Sequence, residues 1–397
     1  MRLVIVTHNL GDANRHLMPW RTVCEVTDCW RAKEHLVEII SLGSTNRDLG
    51  LSVRKIKKDD GGFAAAFSQV IREFSPDVVF WPLSWRESKF RLKMLGTLQV
   101  PVVAYFPGGY YLFSAVWYAW RKMGLRASRP YMLEFLYEKI RNAVFFHRQG
   151  VDRIITMSQH HREMFIQSGG DGDKVSYIPP GKDGRKNDSG QSMSGLPNEF
   201  IDWLSGRNYF LFMGPPAAIR GIFELLEAFE LAAARQENFV LVCLLRDDAE
   251  LDSGKIKSRL ASMRCRDRVY VVWQSVNRDV FEAYLAGCRA VFLPFIIVPS
   301  EIPLAIIETM AFGKPVVTTI PGGTGEFVRQ CGAVVPLGDV EALANEMVRL
   351  VVDEVYYRHL CEASLAAYER HPTWEKVAGR WLQVGRQAIA ARQDRRG

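Results

Sequence analysis

Residues 209–245 read YFLFMGPPAAIRGIFELLEAFELAAARQENFVLVCLL. The stretch opens on an unbroken apolar block, Tyr209-Phe210-Leu211-Phe212-Met213, and closes on another, Phe239 to Leu245. Neither block alternates polar with apolar, so each predicts a strand buried on both faces. Between them, Ile222 to Ala234 carries its apolar residues at helical spacing. Strand, helix and strand in that order predict a parallel sheet with helices covering it.

Downstream the pattern continues with strands at Arg268 to Trp273, Ala290 to Pro294, Pro315 to Thr319 and Ala333 to Val335. Helices at Arg278 to Ala286, Leu304 to Phe312 and Glu341 to Val351 alternate with them. Upstream, residues 181–198 read GKDGRKNDSGQSMSGLPN, with almost nothing apolar, and predict a linker. Before it stands a second series of buried-strand runs: Leu3 to Thr7, Asp77 to Trp81, Val100 to Tyr105, Arg153 to Met157 and Lys174 to Ile178. The stretch from Phe63 to Phe74 has helical period. The expected fold class is therefore α/β, with two Rossmann-like domains whose parallel sheets face a central cleft. The expected boundaries are 1–183, a linker at 184–198, a second domain at 199–373 and a C-terminal helix in 374–397 crossing back to the first domain. In that helix Trp374, Val377, Trp381, Val384 and Ile389 fall near one face.

The composition fits this size. The chain has 397 residues, 48% hydrophobic and 24% charged, room for two or three domains and a large core. No run approaches the roughly 18 uncharged apolar residues of a spanning helix. Leu3 to Val6 is too short a block for a signal peptide, so a cytoplasmic place is expected. The seven cysteines include no CxxC pair and the eight histidines no HExxH, so neither a disulfide framework nor a protein-bound metal is expected. No G-x-G-x-x-G follows the first strand, Gly313-Lys314 lacks the rest of a Walker loop, and there is no G-x-S-x-G. These absences argue against dehydrogenases, P-loop enzymes and α/β-hydrolases.

The net charge is +7, and the segment 110–150 alone carries seven Lys/Arg against two Glu. The same segment holds Phe113, Trp117 and Trp120 at helical spacing, next to Arg121 and Lys122. Such a mixture suits an anionic membrane surface. It equally suits an ordinary helix that packs its aromatics on the sheet. No nucleic-acid-binding motif accompanies it.

Three blocks in fixed order carry the chemistry. The first runs from Val151 to Ser158 and on to Ile178-Pro179-Pro180-Gly181-Lys182-Asp183. The second is Phe212-Met213-Gly214 with Arg220-Gly221 and Leu225 to Phe229. The third runs from Pro299 to Val317 and leads to Gly322-Gly323-Thr324-Gly325-Glu326. Together they resemble the retaining GT-B glycosyltransferases of family 4, over about Val151 to Trp381. The resemblance implies a hexosyltransferase that moves a sugar from a nucleoside-diphosphate-sugar to an acceptor hydroxyl, with no metal and no cofactor. The basic and aromatic 110–150 segment, on the acceptor-side half of that fold, adds the expectation of a lipid-linked or cell-surface glycan precursor of polysaccharide biosynthesis as acceptor, met at the inner face of the membrane. Two alternatives stand beside it: a non-catalytic GT-B-like protein that binds a nucleotide or glycan, and a GT-B-fold epimerase or phosphorylase.

The residue roles follow the same resemblance. Leu304 and Ala305 open a helix after a proline-rich loop, and their backbone N–H groups suit phosphate. Glu308, about one turn on, matches the Glu that bonds the ribose hydroxyls. Arg220 stands where a Lys usually neutralises the leaving diphosphate. Gly214 and Trp273 complete the donor side, the latter in the loop that frames the base mostly through backbone. The family spaces two Glu by seven residues, whereas six separate Glu301 from Glu308 here. Either Glu301 or Ser300 therefore takes the sugar-binding and catalytic place. Pro215-Pro216 replace an Arg often found after the glycine of the second block. On the acceptor side Gly108, Gly109 and Tyr110 fill a loop where many members carry a His.

Overall fold

The structure, a computed structural model, describes residues 1–11, 14–43, 53–56, 63–83, 94–106, 108–109, 111–145, 150–184, 195–246, 252–298, 300–319 and 322–395. The first sheet has seven strands: β1 (Arg2–His8), β2 (Leu36–Leu42), β3 (Val53–Ile56), β4 (Val78–Pro82), β5 (Val102–Tyr105), β6 (Arg153–Thr156) and β7 (Val175–Tyr177). Their order is β3-β2-β1-β4-β5-β6-β7 and every pairing is parallel. The second sheet has six: β8 (Asn208–Gly214), β9 (Phe239–Leu245), β10 (Val269–Val272), β11 (Ala290–Leu293), β12 (Val316–Thr319) and β13 (Gly332–Val335). They lie in the order β10-β9-β8-β11-β12-β13, again all parallel. Both sheets reverse their winding at the first strand, between β1 and β4 and between β8 and β11. Loops at the carboxyl ends of these strands diverge there and leave a crevice.

Strands β2 and β3 are additions to the sequence expectation. LVEIISL in β2 is interrupted by Glu38 and Ser41, which hides its strand character. Both polar residues are used. Glu38 pairs with Arg54 of β3 at 2.5 Å, and Ser41 Oγ accepts from the Leu10 N–H at 3.0 Å.

Each sheet buries two faces. In the first, Leu3, Ile5, Phe80 and Tyr105 point to one side while Val4, Val6, Val79 and Trp81 point to the other. The first side is covered by the helix Trp20–Ala32 and by the C-terminal helix Trp374–Asp394. Trp381 lies fully buried against Phe80 and Tyr105, with ring centroids 5.6 and 5.1 Å away. The end of the chain thus packs on the first sheet, and Trp30 Nε1 donates to the Ala378 carbonyl at 2.9 Å. Of the expected linker, residues 185–194 lie outside the described set, and Asn198 already opens a helix, Asn198–Leu204.

The helix Phe113–Phe145 joins the two halves by one face. It is broken at Gly124, whose φ of 79° and ψ of 167° are not helical. Ala115, Val116 and Ala119 bury against Ile296 and Ile297 of the second half. Tyr118 Oη donates to Glu224 Oε1 at 3.0 Å. The aromatics on the other face are not core: Phe113 is 62% and Trp117 45% exposed. Arg121, Lys122, Arg126 and Arg129 are exposed beside them. Among the described residues no helix is long and apolar enough to cross a membrane.

Candidate functional site

Between the sheets runs a cleft of about 1430 Å³. Its second-half wall comes from the loops after β8, β9, β10 and β11, and its first-half wall from residues 15–28 and 181–184.

Gly214 ends β8 with φ of 135°, a backbone that favours glycine. A single 3₁₀ turn, Ala218–Arg220, follows, and Gly221 then starts the helix Ile222–Arg235. Gly221 has φ of 73°, and a Cβ there would lie 1.8 Å from the Pro294 carbonyl oxygen. That close approach fixes the turn and aims Arg220 into the cleft. The Arg220 guanidinium lies over the Phe295 ring, 5.2 Å from its centroid. Burial, and then repulsion from Arg246, pull its pKa down from 12.5 to about 10. Among the described residues no carboxylate forms an ion pair with it. A desolvated cation without a counter-ion is a place for an anionic ligand.

The helix Leu304–Ala311 begins after Pro303 with no side-chain cap and no acid in its first turn. Leu304 and Ala305 line the cleft, where first-turn N–H groups lack intrahelical partners. Glu308 lines it too, but it is engaged. Arg278 Nη1 donates to Glu308 Oε1 at 2.6 Å, and Arg21 Nη1 approaches the same oxygen at 3.5 Å. Arg278 also holds the buried Glu282 at 2.5 Å, and Arg21 Nη2 holds both oxygens of Asp183 at 2.6 Å. Asn277 caps the helix Arg278–Gly287 by accepting from the Val280 N–H, which sets Arg278 at the cleft edge.

Ser300 and Glu301 part company. The Ser300 hydroxyl is buried in the cleft wall and has no hydrogen-bond partner among the described residues. Glu301 does not line the cleft. It turns into the junction between the halves, where Ser158 Oγ and the Gly323 N–H both donate to Oε2, at 2.6 and 3.1 Å. The Trp273 side chain also leaves the cleft, because it packs on Lys257, whose Nζ is 4.7 Å from the ring centroid. Gln274, Ser275 and Val276 line the cleft in its place. On the acceptor side Gly108 and Gly109 do not line the cleft. Gly109 is pressed against the second half, where a Cβ would lie 2.5 Å from the Val298 carbonyl oxygen. Tyr110 lies outside the described residues.

The first-half wall holds residues the sequence reading passed over: Arg15, His16, Trp20 and Arg21. The available signal was position alone, since they follow β1, whose carboxyl end must face the crevice. Trp20 Nε1 donates to the His8 carbonyl at 2.5 Å and ties this wall to the strand end. Among the described residues no group of three His, Cys, Asp or Glu could hold a metal ion. All seven cysteines are free thiols.

Residues 207–353 match the family model described as Glycosyl transferases group 1, and residues 20–184 match the model described as Glycosyltransferase Family 4. No curated protein matches the chain. Among solved structures, a glycosyltransferase from Rickettsia africae is 15% identical with a TM-score of 0.70, over 98% of both chains. The sucrose-phosphate synthase of Thermosynechococcus elongatus is 17% identical with a TM-score of 0.72, over 98% of this chain and 99% of that one. HepE of Anabaena, in complex with UDP and glucose, is 14% identical with a TM-score of 0.68, over 96% and 98%. At these identities the likeness is one of fold.

Proposed function

The chain belongs to the group 1 glycosyltransferases of GT-B fold, and we propose that it transfers a hexosyl group from a nucleoside-diphosphate-sugar to an acceptor hydroxyl with retention. In the reaction the bond from sugar C1 to the diphosphate oxygen breaks, a bond from C1 to the acceptor oxygen forms, the acceptor hydroxyl proton passes to the departing diphosphate or to solvent, and the nucleoside diphosphate is released. One observation carries this reading: Arg220, desolvated and without a carboxylate partner among the described residues, lines the same cleft as the open first turn at Leu304 and Ala305. Together they supply positive charge where a diphosphate gathers negative charge on leaving. No resident metal enters the proposal.

In this reading residues 199–373 hold the donor and residues 1–183 the acceptor. Glu308 takes the ribose, with Arg278 holding its carboxylate in place. Ser300 takes the sugar-facing position, since its hydroxyl has no partner among the described residues while Glu301 is already used at the domain junction. Anabaena HepE was solved with UDP and with UDP-glucose, so uridine nucleotides are the first donors to try. The acceptor is a lipid-linked or cell-surface glycan precursor, met at the cytoplasmic face of a membrane. Support comes from the exposed Phe113 and Trp117 next to four exposed basic residues, on the first-half helix that packs across to the second half.

The test is a thermal-shift panel of nucleoside diphosphates on the full chain, followed by donor turnover. Binding to the folded state raises the melting temperature, by about 2.7 kcal/mol of added stability at a hundredfold excess over Kd. A panel in which no diphosphate shifts the transition sinks the proposal. Binding with neither transfer nor donor hydrolysis would make the chain a nucleotide-binding protein instead.

A further inference from the structure

Deep beside the cleft the two halves are fastened to each other through one buried carboxylate. Glu301 is 3% exposed and Ser158 2%. Ser158 ends the first-half run at β6, and its oxygen accepts from the His161 N–H at 2.9 Å to cap the helix Gln159–Gln167. The same hydroxyl donates to Glu301 Oε2 at 2.6 Å. On the second-half side Gly323 N–H donates to that oxygen at 3.1 Å, and Thr324 Oγ1 donates to the Glu301 carbonyl at 2.7 Å.

Two glycines make room for this contact. A Cβ at Gly323 would lie 2.2 Å from Glu301 Oε2 and 2.5 Å from Ser158 Cβ. A Cβ at Gly109 would lie 2.5 Å from the Val298 carbonyl oxygen and 3.4 Å from Glu301 Oε1. At Gly109 backbone meets backbone across the junction, and at Gly323 the backbone closes directly on the Ser158 and Glu301 side chains. A buried carboxylate is costly unless donors surround it at hydrogen-bond distance. Plain apolar packing tolerates sliding by a few tenths of an ångström, whereas this arrangement is satisfied at one separation of the halves.

We infer that Glu301 and Ser158 form a clasp that sets the width of the cleft: they are positioning residues for transfer, not contacts to the sugar. Reaction needs donor and acceptor atoms held to a fraction of an ångström, and a misplacement of about 1 Å costs on the order of 100-fold. The kinetic consequence rests on the glycosyltransferase reading; the effect on molecular shape does not.

The test pairs small-angle scattering of the ligand-free full chain with initial-rate kinetics on UDP-glucose. Ser158→Asp retains a residue type that caps helices but sets one carboxylate against another. Adding Glu301→Gln to that variant restores a donor and an acceptor. Ser158→Asp should enlarge the radius of gyration and lower kcat by about tenfold or more, with donor KM within about threefold. The double variant should recover both. If Ser158→Asp fails to fold, Gly109→Ala wedges the same junction and should give the same two changes. Wild-type scattering and kcat in the folded variant overturn the clasp. So does a raised donor KM at wild-type kcat and shape, which would return Glu301 to the donor. If wild type does not turn over UDP-glucose, that donor assignment fails, while the scattering still decides the clasp.

Discussion

Arg220 is worth most at the moment the diphosphate leaves. Its guanidinium lies over the Phe295 ring in the cleft wall, and burial and then repulsion from Arg246 disfavour its charged form until an anion arrives. Arg220→Ala should lower kcat by about 100-fold, the scale of a lost preorganised charge. Arg220→Lys should recover part of that, because an ammonium supplies charge without the two-pronged fork. Single-turnover rates measure both, and an Ala variant within a few-fold of wild type would move the role to Arg246 or Lys314. Glu308 presents a different case, since it reaches the cleft already bonded to Arg278 and close to Arg21. Glu308→Ala should weaken nucleoside diphosphate binding by roughly 1–3 kcal/mol in calorimetry, the range for a charged hydrogen bond. Unchanged affinity in a folded variant would remove it from the donor site. The place of Arg220, Ser300 and Glu308 on the cleft was legible because each lies inside a local motif. Arg21 and Arg278 were not, because their meaning comes from meeting Glu308 across stretches of chain that carry no shared motif, 287 residues for Arg21 and 30 for Arg278. Glu301 and Trp273 were legible as positions but not as directions, since neighbouring contacts with Ser158 and Lys257 decide where each side chain turns.

At the scale of elements, the return of the chain to the first sheet depends on a short joint between the helices Glu354–Arg370 and Trp374–Asp394. His371 stands in that joint, 8% exposed, with Nε2 2.8 Å from the Pro180 carbonyl. Burial pulls its pKa from 6.5 down to about 4, although the bond to Pro180 acts the other way. The unfolded chain therefore binds a proton before the folded one does. His371's contribution to stability is complete above about pH 6.5, declines as pH falls, and is gone near pH 4. The loss amounts to about 3 kcal/mol at 1.36 kcal/mol per unit. Urea midpoints should fall across that window in wild type and fall less in His371→Gln, so parallel curves would remove His371 as the cause. The elements themselves follow the sequence closely where the pattern is strongly periodic, as in Phe239–Leu245 or Ile222–Arg235. The failures came where polar residues have partners that only the fold supplies. Glu38 and Ser41 hide β2, and the polar and charged positions of Glu354–Arg370 blur a helix that buries Leu360, Ser364, Ala367 and Tyr368.

For the whole molecule, the helix Phe113–Phe145 faces two ways, and the proposed membrane contact belongs to its outer face. Its inner face is committed to the second half through Ala115, Val116, Ala119 and Tyr118. Its outer face carries Phe113, Trp117 and the partly exposed Trp120 in mutual ring contact, with Phe113 to Trp117 at 6.1 Å and Trp117 to Trp120 at 4.6 Å. The sequence offered two readings of these rings, and solvent exposure removes the one that makes them core. Their basic neighbours Arg121, Lys122, Arg126 and Arg129 are exposed as well. Each such residue contributes about 1 kcal/mol near an anionic bilayer, and inserted rings add an apolar share. Four together suffice for reversible attachment, and screening weakens it as the Debye length shrinks from about 10 Å at 0.1 M salt to about 3 Å at 1 M. The full chain should therefore sediment with anionic phospholipid vesicles at low salt, release at high salt, and ignore neutral vesicles. Changing Trp117 and Trp120 to Ser with Arg121 and Lys122 to Glu should abolish sedimentation and leave nucleoside diphosphate binding intact, because none of the four lines the cleft. Wild-type protein that stays in the supernatant with anionic vesicles at low salt would sink the membrane assignment. A quadruple variant that still sediments would move the contact to another surface.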